Sequence, residues 1–553
     1  MPPLIHGLSF GNLKGDIFGG LTAAVVALPL ALAFGVASGV GPIAGLYGAI
    51  AVGFFAAVFG GTPSQVSGPT GPMTVVMGAV VASHANNLPE AFAIVILGGA
   101  LQILFGVARL GRYINYTPYS VVSGFMTGIG VIIMILQVLP FLGLPAAGGG
   151  PVGALRILLD LDLGRVGIPA TGLALATLLI VIFWPQRLSR FLPSPLAALV
   201  IGTVASVLFF PGVPIIGAVP TGLPTPTMPA INMSQLAGIF QAGFILALLG
   251  SIDSLLTSLV ADTITRTHHN SDRELIGQGI GNVVAGLIGG LPGAGATMRT
   301  VVNVRAGGRT PISGAIHALV LLALALGLGP LAAKVPHAVL AGILMKVGWD
   351  IIDWGYVKRI ARVPLEKAVV MLTTLALTVF VDLIAAVAVG IILAAYVTSR
   401  ALEREQLKGL EIGDGAADSQ PSLSEDERSK LRSVPGRVLV TRLTGAFSYA
   451  SAREMARRVS DSVLGHRCVI YDFSDVGYVD PSIAVAIDDI FDQVRSNGQL
   501  LFVSGLGGNV EKTLAAFGAL DRVPPDHRLA TRAEAIDRAV AAVKRDAAAE
   551  SAI

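Results

Sequence analysis

Residues 65–76 read Gln65-Val66-Ser67-Gly68-Pro69-Thr70-Gly71-Pro72-Met73-Thr74-Val75-Val76, and residues 291–302 read Leu291-Pro292-Gly293-Ala294-Gly295-Ala296-Thr297-Met298-Arg299-Thr300-Val301-Val302. In both, a Gly/Pro-rich stretch that does not favour a helix leads into a short apolar run, Thr70–His84 in one and Ala296–Arg305 in the other. A bilayer needs about 20 apolar residues per helix, so each run reads as a half-helix that starts inside the membrane. The runs also rhyme, Met73-Thr74-Val75-Val76 against Arg299-Thr300-Val301-Val302.

Outward from these two points, apolar stretches recur near 17–37, 43–60, 70–84, 91–108, 119–140, 168–184 and 195–211. A second set follows near 239–260, 275–290, 296–305, 312–332, 337–352, 367–382 and 384–399. The half-helices take third place in each set of seven. Interrupted helices at matching positions in two halves are the sequence mark of an inverted-repeat transporter with its site near the midplane. The expected fold is a polytopic α-helical membrane protein of 14 spans, a 7+7 inverted repeat with half-helices at spans 3 and 10.

Composition agrees. The 553 residues are 53% hydrophobic and 13% charged, against about 25% charged in soluble domains. Residues 1–400 hold 19 basic and 12 acidic side chains, whereas residues 401–553 hold 19 and 23. The chain reads as a membrane domain over 1–400, a polar linker over 401–435, a small α/β domain over 436–545 and a tail over 546–553. With the N-terminus inside, 14 basic residues fall on the cytoplasmic side and 3 on the outside, as the positive-inside rule requires. No removable signal peptide is expected. The single cysteine, Cys468, excludes an intramolecular disulfide and a multi-cysteine metal site. The modest net charge of +3 gives no support to a nucleic-acid partner. No Walker loop, metalloprotease motif or nucleophile arrangement is present in the sequence, so no catalytic residue is assigned and an enzyme is not expected.

Three features can carry chemistry. The N-terminus of a half-helix presents unpaired N–H groups and a partial positive charge, so the stretch at Ser67, Thr70, Gly71 and Thr74 suits an anion, as does the partner start at Thr297. Asp253, with Thr257 one turn on, is a carboxylate inside an apolar span and needs a partner, a proton or an ion. Carboxylate, hydroxyl and loose carbonyls near Ala296 suit sodium. Arg299 either reinforces the anion site or neutralises Asp253. His317 reads as a satisfied packing residue, and Asp382 as serving the turn between two closely spaced spans.

These runs resemble the SulP family of anion transporters, which carry a C-terminal STAS domain. Within the family the resemblance is greatest to the sodium-dependent bicarbonate transporters of cyanobacteria. It rests on Gly15-Asp-Ile-Phe-Gly-Gly-Leu-Thr-Ala-Ala, Ala31-Leu-Ala-Phe-Gly-Val-Ala-Ser-Gly, Pro69-Thr-Gly-Pro-Met-Thr-Val-Val, Ile252-Asp-Ser-Leu-Leu-Thr, Gly277-Gln-Gly-Ile-Gly-Asn and Gly293-Ala-Gly-Ala-Thr-Met. The resemblance implies a core module of spans 1–4 and 8–11 moving against a gate module of spans 5–7 and 12–14. It implies substrate contact at Thr70, and sodium at Asp253, Thr257, Ala296 and Thr297; Gly71, Ser67, Phe34, Thr297 and Arg299 complete the expected substrate site. No cofactor is implied beyond a coupling sodium ion.

Two departures bear on substrate: Arg299 stands where the bicarbonate transporters carry glycine, and Gly68 replaces an acidic residue. Both make the site more positive and lean towards a divalent anion. Bicarbonate is the first expected substrate and sulfate the second. The alternatives are a proton-coupled sulfate or dicarboxylate transporter, or an anion sensor signalling through its STAS domain. The tail resembles STAS domains through Val469-Ile-Tyr-Asp-Phe-Ser-Asp-Val-Gly-Tyr-Val-Asp480-Pro-Ser482. Pro481 and Ile483 interrupt the phosphorylatable motif of bacterial relatives, so phosphorylation at Ser482 is not expected. A homodimer in the lipid of a bacterial inner membrane is expected, with the N-terminus and STAS domain cytoplasmic.

Overall fold

A computed structural model describes residues 5–83, 87–114, 118–147, 150–189, 192–217, 226, 236–327, 333–381, 383–414 and 423–550. The chain divides into two compact units, Met1–Ala394 and Ala395–Ile553.

In the first unit a helix stands on each of the fourteen apolar stretches. They are α1 (Leu13–Ala37), α2 (Pro42–Phe59), α3 (Gly71–Ser83), α4 (Leu88–Val107) and α5 (Tyr119–Phe141). After α6 (Gly150–Leu159) come α7 (Ile168–Phe183), α8 (Ser194–Phe209), α9 (Leu236–Thr265) and α10 (Ser271–Leu287). Then follow α11 (Thr297–Arg305), α12 (Pro311–Gly327), α13 (His337–Ile351), α14 (Leu365–Phe380) and α15 (Leu383–Gln406). Helix α6 is the addition that the sequence reading left as a connection. By length and composition, six described stretches are long and apolar enough to cross a membrane: α1, α2, α4, α5, α9 and the run Ala385–Gly409. His84 and Asp382 lie outside the described residues.

Two packed groups emerge. Helices α1, α2, α4, α9, α10, α11 and α12 pack on one another, and α5, α7, α8, α13 and α14 form a second set. Within the first group the pairs exchange between the halves of the chain: α2 packs on α12 as α10 does on α4, and α1 on α12 as α9 does on α4. That is the arrangement expected of two related halves about a two-fold axis. The α4–α10 crossing is close enough that a Cβ at Gly99 would lie 2.6 Å from the Gly279 carbonyl oxygen, the small-residue packing that lets membrane helices approach. Exposed apolar side chains such as Val107, Phe183, Phe209 and Leu365 cover the outside of this unit, the reverse of a soluble surface.

The start of α1 is tied down by charge. Asp16 is fully buried, and its Oδ1 accepts from the Arg309 and Thr310 amides at 2.7 and 3.0 Å while Oδ2 accepts from the Thr310 hydroxyl at 2.7 Å. A carboxylate inside the protein is tolerated when donors surround it, and here it joins α1 to the turn between α11 and α12.

The second unit is a five-stranded sheet in the order β3 (Leu410–Gly413), β4 (Val438–Phe447), β5 (Cys468–Val479), β6 (Leu500–Ser504) and β7 (Arg528–Leu529). Strand β3 is antiparallel to β4 and the other pairs are parallel. Alternation sorts the strands between two faces. Val469, Tyr471, Leu501 and Val503 join α17 (Tyr449–Val463) and α18 (Pro481–Ser496), while Cys468, Ile470 and Phe502 join α20 (Arg532–Glu550). Helix α19 (Gly508–Ala516) packs with the first face. Asp480 is taken up as the N-cap of α18, accepting from Ile483 N at 2.9 Å.

The sequence reading of 401–435 as linker needs correcting. Residues 410–413 pair with β4, and α16 (Glu425–Arg432) buries Leu431 against the α20 side of the sheet. The segment looked like linker because its charges lie on an amphipathic helix and β3 is only four residues long. Residues 415–422 lie outside the described ones. Helix α16 carries a capping box of Ser424 and Glu427, and Arg532 donates to both Glu427 oxygens at 2.9 Å while reaching buried Asp472 at 3.4 Å.

Glu427 supplies a test. Burial alone would raise its carboxyl, but the bonds from Arg532 and Ser424 outweigh burial and hold it below the ordinary value of 4.5. The stability it lends is therefore complete above that value and lost as pH falls through the lowered one. Glu427→Gln should destabilise this unit by about 1–3 kcal/mol at pH 7, since it takes the two-oxygen charged acceptor from the partly buried Arg532 guanidinium and leaves it Asp472. Cys468 is the reporter: it is buried, and burial pushes its thiol up to about 12. Its labelling in the full chain should begin at lower denaturant in the variant, with the gap narrowing as pH falls below 4.5. An unchanged labelling midpoint at pH 7 would contradict the assignment.

Candidate functional site

The two motifs that opened the sequence reading meet. Ser67–Gly68 (β1) and Ala294–Gly295 (β2) form a two-residue antiparallel pair, Ser67 opposite Gly295 and Gly68 opposite Ala294. Helix α3 starts three residues past β1 and α11 two residues past β2, so both short helices begin at one place. Their first helical bonds run from Thr74 N to Thr70 O and from Thr300 N to Ala296 O, each 2.9 Å. The amides ahead of those bonds are left to face the site, with the positive helix ends behind them. Gly293 has to be glycine: a Cβ there would lie 2.5 Å from the Gly68 carbonyl carbon.

Thr70 and Asp253 touch. The Thr70 hydroxyl donates to Asp253 Oδ2 at 2.8 Å, and Oδ1 has no partner among the described residues. Thr257, one turn along α9, donates to the Gly295 carbonyl at 3.0 Å and lies 2.8 Å from the Thr297 hydroxyl. Ala296 is buried at the N-cap of α11. Asp253 Oδ1, the Thr257 hydroxyl and the carbonyls around Gly295 thus gather hard oxygen donors in one corner. Among the described residues no group of three His, Cys, Asp or Glu side chains stands ready for a metal ion.

Arg299 turns to the first motif: its Nη2 donates to the Pro69 carbonyl at 2.7 Å, and among the described residues it forms no ion pair with Asp253. The guanidinium is buried beside Gly68, where a Cβ would lie 2.8 Å from Nη1. Gly68, at φ 147°, makes room for the arginine and adopts a backbone that other residues avoid.

Not every expected residue faces this centre. Ser67 accepts from Gln278 Nε2 at 2.6 Å and is turned into a network behind β1, and the Thr74 hydroxyl donates back to Thr70 O at 2.7 Å. Phe34 lies in the apolar cluster with Met73, Met77 and Phe125. Gly71 faces across to the second helix group, where a Cβ would meet Ile351 at 2.5 Å and Ile133 at 2.9 Å. Asp253 also borders a cavity of about 250 Å³ between α5, α9 and α15, lined otherwise by apolar residues including Phe125 and Ile391. His317 is not satisfied as expected. It is fully buried beside Gly53, and neither ring nitrogen has a partner among the described residues.

The sequence reading missed the scaffold behind the bridge. Glu274 accepts from the Gly61 amide at 2.9 Å, Gln65 at 2.7 Å and Gln278 at 2.8 Å. Asn282 holds Gly293 through both its amide and its carbonyl, at 2.7 and 3.0 Å, and also donates to Gln102. The Ser254 hydroxyl accepts from Gly295 N, and that of Thr300 from Val66 N, each at 3.0 Å. Glu274, Gln278 and Asn282 recur every four residues on one face of α10, a legible signal.

Both units have known relatives. The sulfate permease family model matches residues 13–374 and the STAS domain model residues 431–535. The bicarbonate transporter BicA of Synechocystis sp. is 45% identical over 544 residues, covering 97% of this chain and 96% of its own length. The putative sulfate transporter YvdB of Bacillus subtilis is 30% identical over 532 residues, covering 94% and 97%. Among solved structures, the transmembrane domain of a cyanobacterial BicA matches at TM-score 0.66 and 52% identity, covering 70% of this chain and all of that one. SLC26A9 shares the fold at TM-score 0.81 and 17% identity, covering 97% of this chain and 91% of its own.

Glu274→Gln tests the scaffold. An amide in place of the carboxylate keeps one acceptor oxygen but sets an N–H group against either the Gly61 amide or the Gln65 and Gln278 donors, which should cost about 2 kcal/mol. The variant should melt at lower temperature in detergent, and Glu274→Leu lower still. Equal melting temperatures for all three proteins would contradict the role.

Proposed function

The chain belongs to the sulfate permease family, and on that premise we propose that it is a secondary active transporter of a small inorganic anion, bicarbonate first, taken up together with sodium. The observation that carries this is the Thr70–Asp253 hydrogen bond. It joins the start of the anion-facing half-helix to the carboxylate of the cation corner. The anion would lie beside Thr70 and Thr297 against the first amides of α3 and α11, with the Arg299 guanidinium as the charged donor, since the two hydroxyl hydrogens are taken by Asp253 and Thr257. Sodium would take Asp253 Oδ1, the Thr257 hydroxyl and the carbonyls near Ala296.

Charge favours the monovalent substrate. Asp253 and Arg299 cancel, so one sodium and one bicarbonate leave the buried site neutral, whereas sulfate with one sodium leaves it negative. An uncompensated charge in an apolar interior costs several kcal/mol. Two relatives 43% and 45% identical carry the name bicarbonate transporter. The sulfate reading is kept by Arg299 and by the relatives named for sulfate.

Transport would run by alternating access. The group of α1–α4 and α9–α12 carries the site past α5, α7, α8, α13 and α14, and Gly71 slides against Ile133 and Ile351. In this reading the fourteen apolar stretches are the spans of a bacterial inner-membrane protein, with α3 and α11 as half-spans that begin at its midplane. The N-terminus and STAS domain are cytoplasmic, the protein is a homodimer, and no catalytic step or further cofactor is involved.

Labelled bicarbonate and sulfate uptake into proteoliposomes, with sodium and proton gradients imposed separately, tests this. Sodium-driven bicarbonate uptake is expected, and Asp253→Asn should remove the sodium dependence and most of the flux. Gly68→Ala should cut flux at least about tenfold, by driving a methyl into Arg299 and straining the backbone. Sodium-stimulated uptake surviving in Asp253→Asn would sink the cation assignment. Proton-driven sulfate uptake would replace the substrate and coupling ion, and no flux from the intact protein would favour a sensor.

A further inference from the structure

A second cavity, of about 550 Å³, lies between the two helix groups. Ala33, Val36 and Ala37 of α1 form one wall, and the end of α5 and the first turns of α13 form the other. No Asp, Glu, Lys or Arg lines it; its polar side chains are Gln137 of α5 and His337 at the first position of α13. Gln137 is 7% exposed, and neither its amide nitrogen nor its carbonyl has a partner among the described residues. A buried amide left unpaired costs about 1–3 kcal/mol. Such a group belongs in this otherwise apolar wall only if something in the cavity completes it.

The N-terminus of α13 is at the same cavity. Pro336 stands at the N-cap, and no side chain caps the helix. His337 N donates to the Pro214 carbonyl at 3.0 Å, and the Val339 and Leu340 amides share Pro336 O at 3.1 and 3.3 Å. The amide of Ala338, a lining residue, has no partner among the described residues. The His337 ring is turned to the Ile215 carbonyl. A helix start with a free amide carries partial positive charge. With the Gln137 N–H groups it forms a donor set for an anion, and a cation would meet that positive end.

The cavity is also one helical turn from the bridge. Gln137 stands four residues beyond Ile133, which faces Gly71 at the start of α3, and steps of four keep side chains on one face. Ala33 precedes Phe34, which clusters with Met73 of α3. We propose that this cavity is a second anion site, in which a small inorganic anion rests on Gln137 and the start of α13 before passing the Phe34 cluster to Thr70. That order, and a position on the outer side, rest on the transport reading above, whereas the donor set does not.

The full chain is purified with Cys468→Ala and Ala147→Cys, the latter on the cavity wall, so that thiol labelling reports this place alone. Two methanethiosulfonates of similar size are compared, one ending in a sulfonate and one in a trimethylammonium. Relative to their rates with a free thiol, the anionic reagent should be faster by on the order of tenfold, as in a cleft of positive potential. Bicarbonate or iodide should slow it. Gln137→Leu should abolish both effects, and Gln137→Glu should reverse the preference. Gln137→Leu should melt no lower than the parent, since an unpaired buried amide contributes no stability. In uptake, Gln137→Leu should raise KM for external bicarbonate by roughly tenfold with kcat kept. The labelling decides the site whether or not the intact protein carries flux. Equal rates for the two reagents, no protection by either anion, or a preference that survives Gln137→Leu in folded protein overturns the proposal. A lower melting temperature for Gln137→Leu would show a structural bond and contradict it, and an unchanged KM would overturn the loading role.

Discussion

Backbone without a helix cannot sit inside an apolar protein unless every N–H and C=O finds a partner. The β1–β2 bridge answers that constraint, and much of the site depends on it. Two residues from each half pair with each other, and the flanking groups are taken up by side chains: Asn282 on Gly293, Ser254 on Gly295, Thr300 on Val66. Because the bridge is antiparallel and central, it sets two half-helix starts side by side. The electrostatics of the site follow from that placement rather than from any one charged residue.

The bridge also explains why Asp253 and Arg299 are tolerated without pairing. Each is bonded to the half-helix of the first repeat, Asp253 through the Thr70 hydroxyl and Arg299 through the Pro69 carbonyl. A negative corner and a positive one are held on either side of a single residue step. An anion drawn to the guanidinium and amides and a cation drawn to the carboxylate would then each lower the cost of binding the other.

Much of this was legible in the sequence because the signals were local. Runs of apolar residues marked the helices, and the rhyme of Met73–Val76 with Arg299–Val302 marked the paired half-helices. The scaffold was harder to see since its partners are distant: Gln65 and Glu274 are 209 residues apart, and uncharged Gln278 and Asn282 look innocuous in a span. The placement of Arg299 was open because a side chain that long reaches either neighbour, and it lies in the space left by Gly68. Ser67 and Thr74 are the opposite case. A short hydroxyl bonds whatever lies nearest, here Gln278 and the helix's own carbonyl. In the second unit, β3 and α16 were hidden by charge on the face of α16 that meets water.

The central claim is that anion and cation share one site across Thr70. Its most direct test is equilibrium binding to the purified protein, with bicarbonate affinity measured with and without sodium and sodium affinity with and without bicarbonate. The account predicts that each ion tightens the other by the same factor, at least about fivefold, as linkage requires, and that Thr70→Val collapses that factor. Affinities for each ion that do not respond to the other would contradict it.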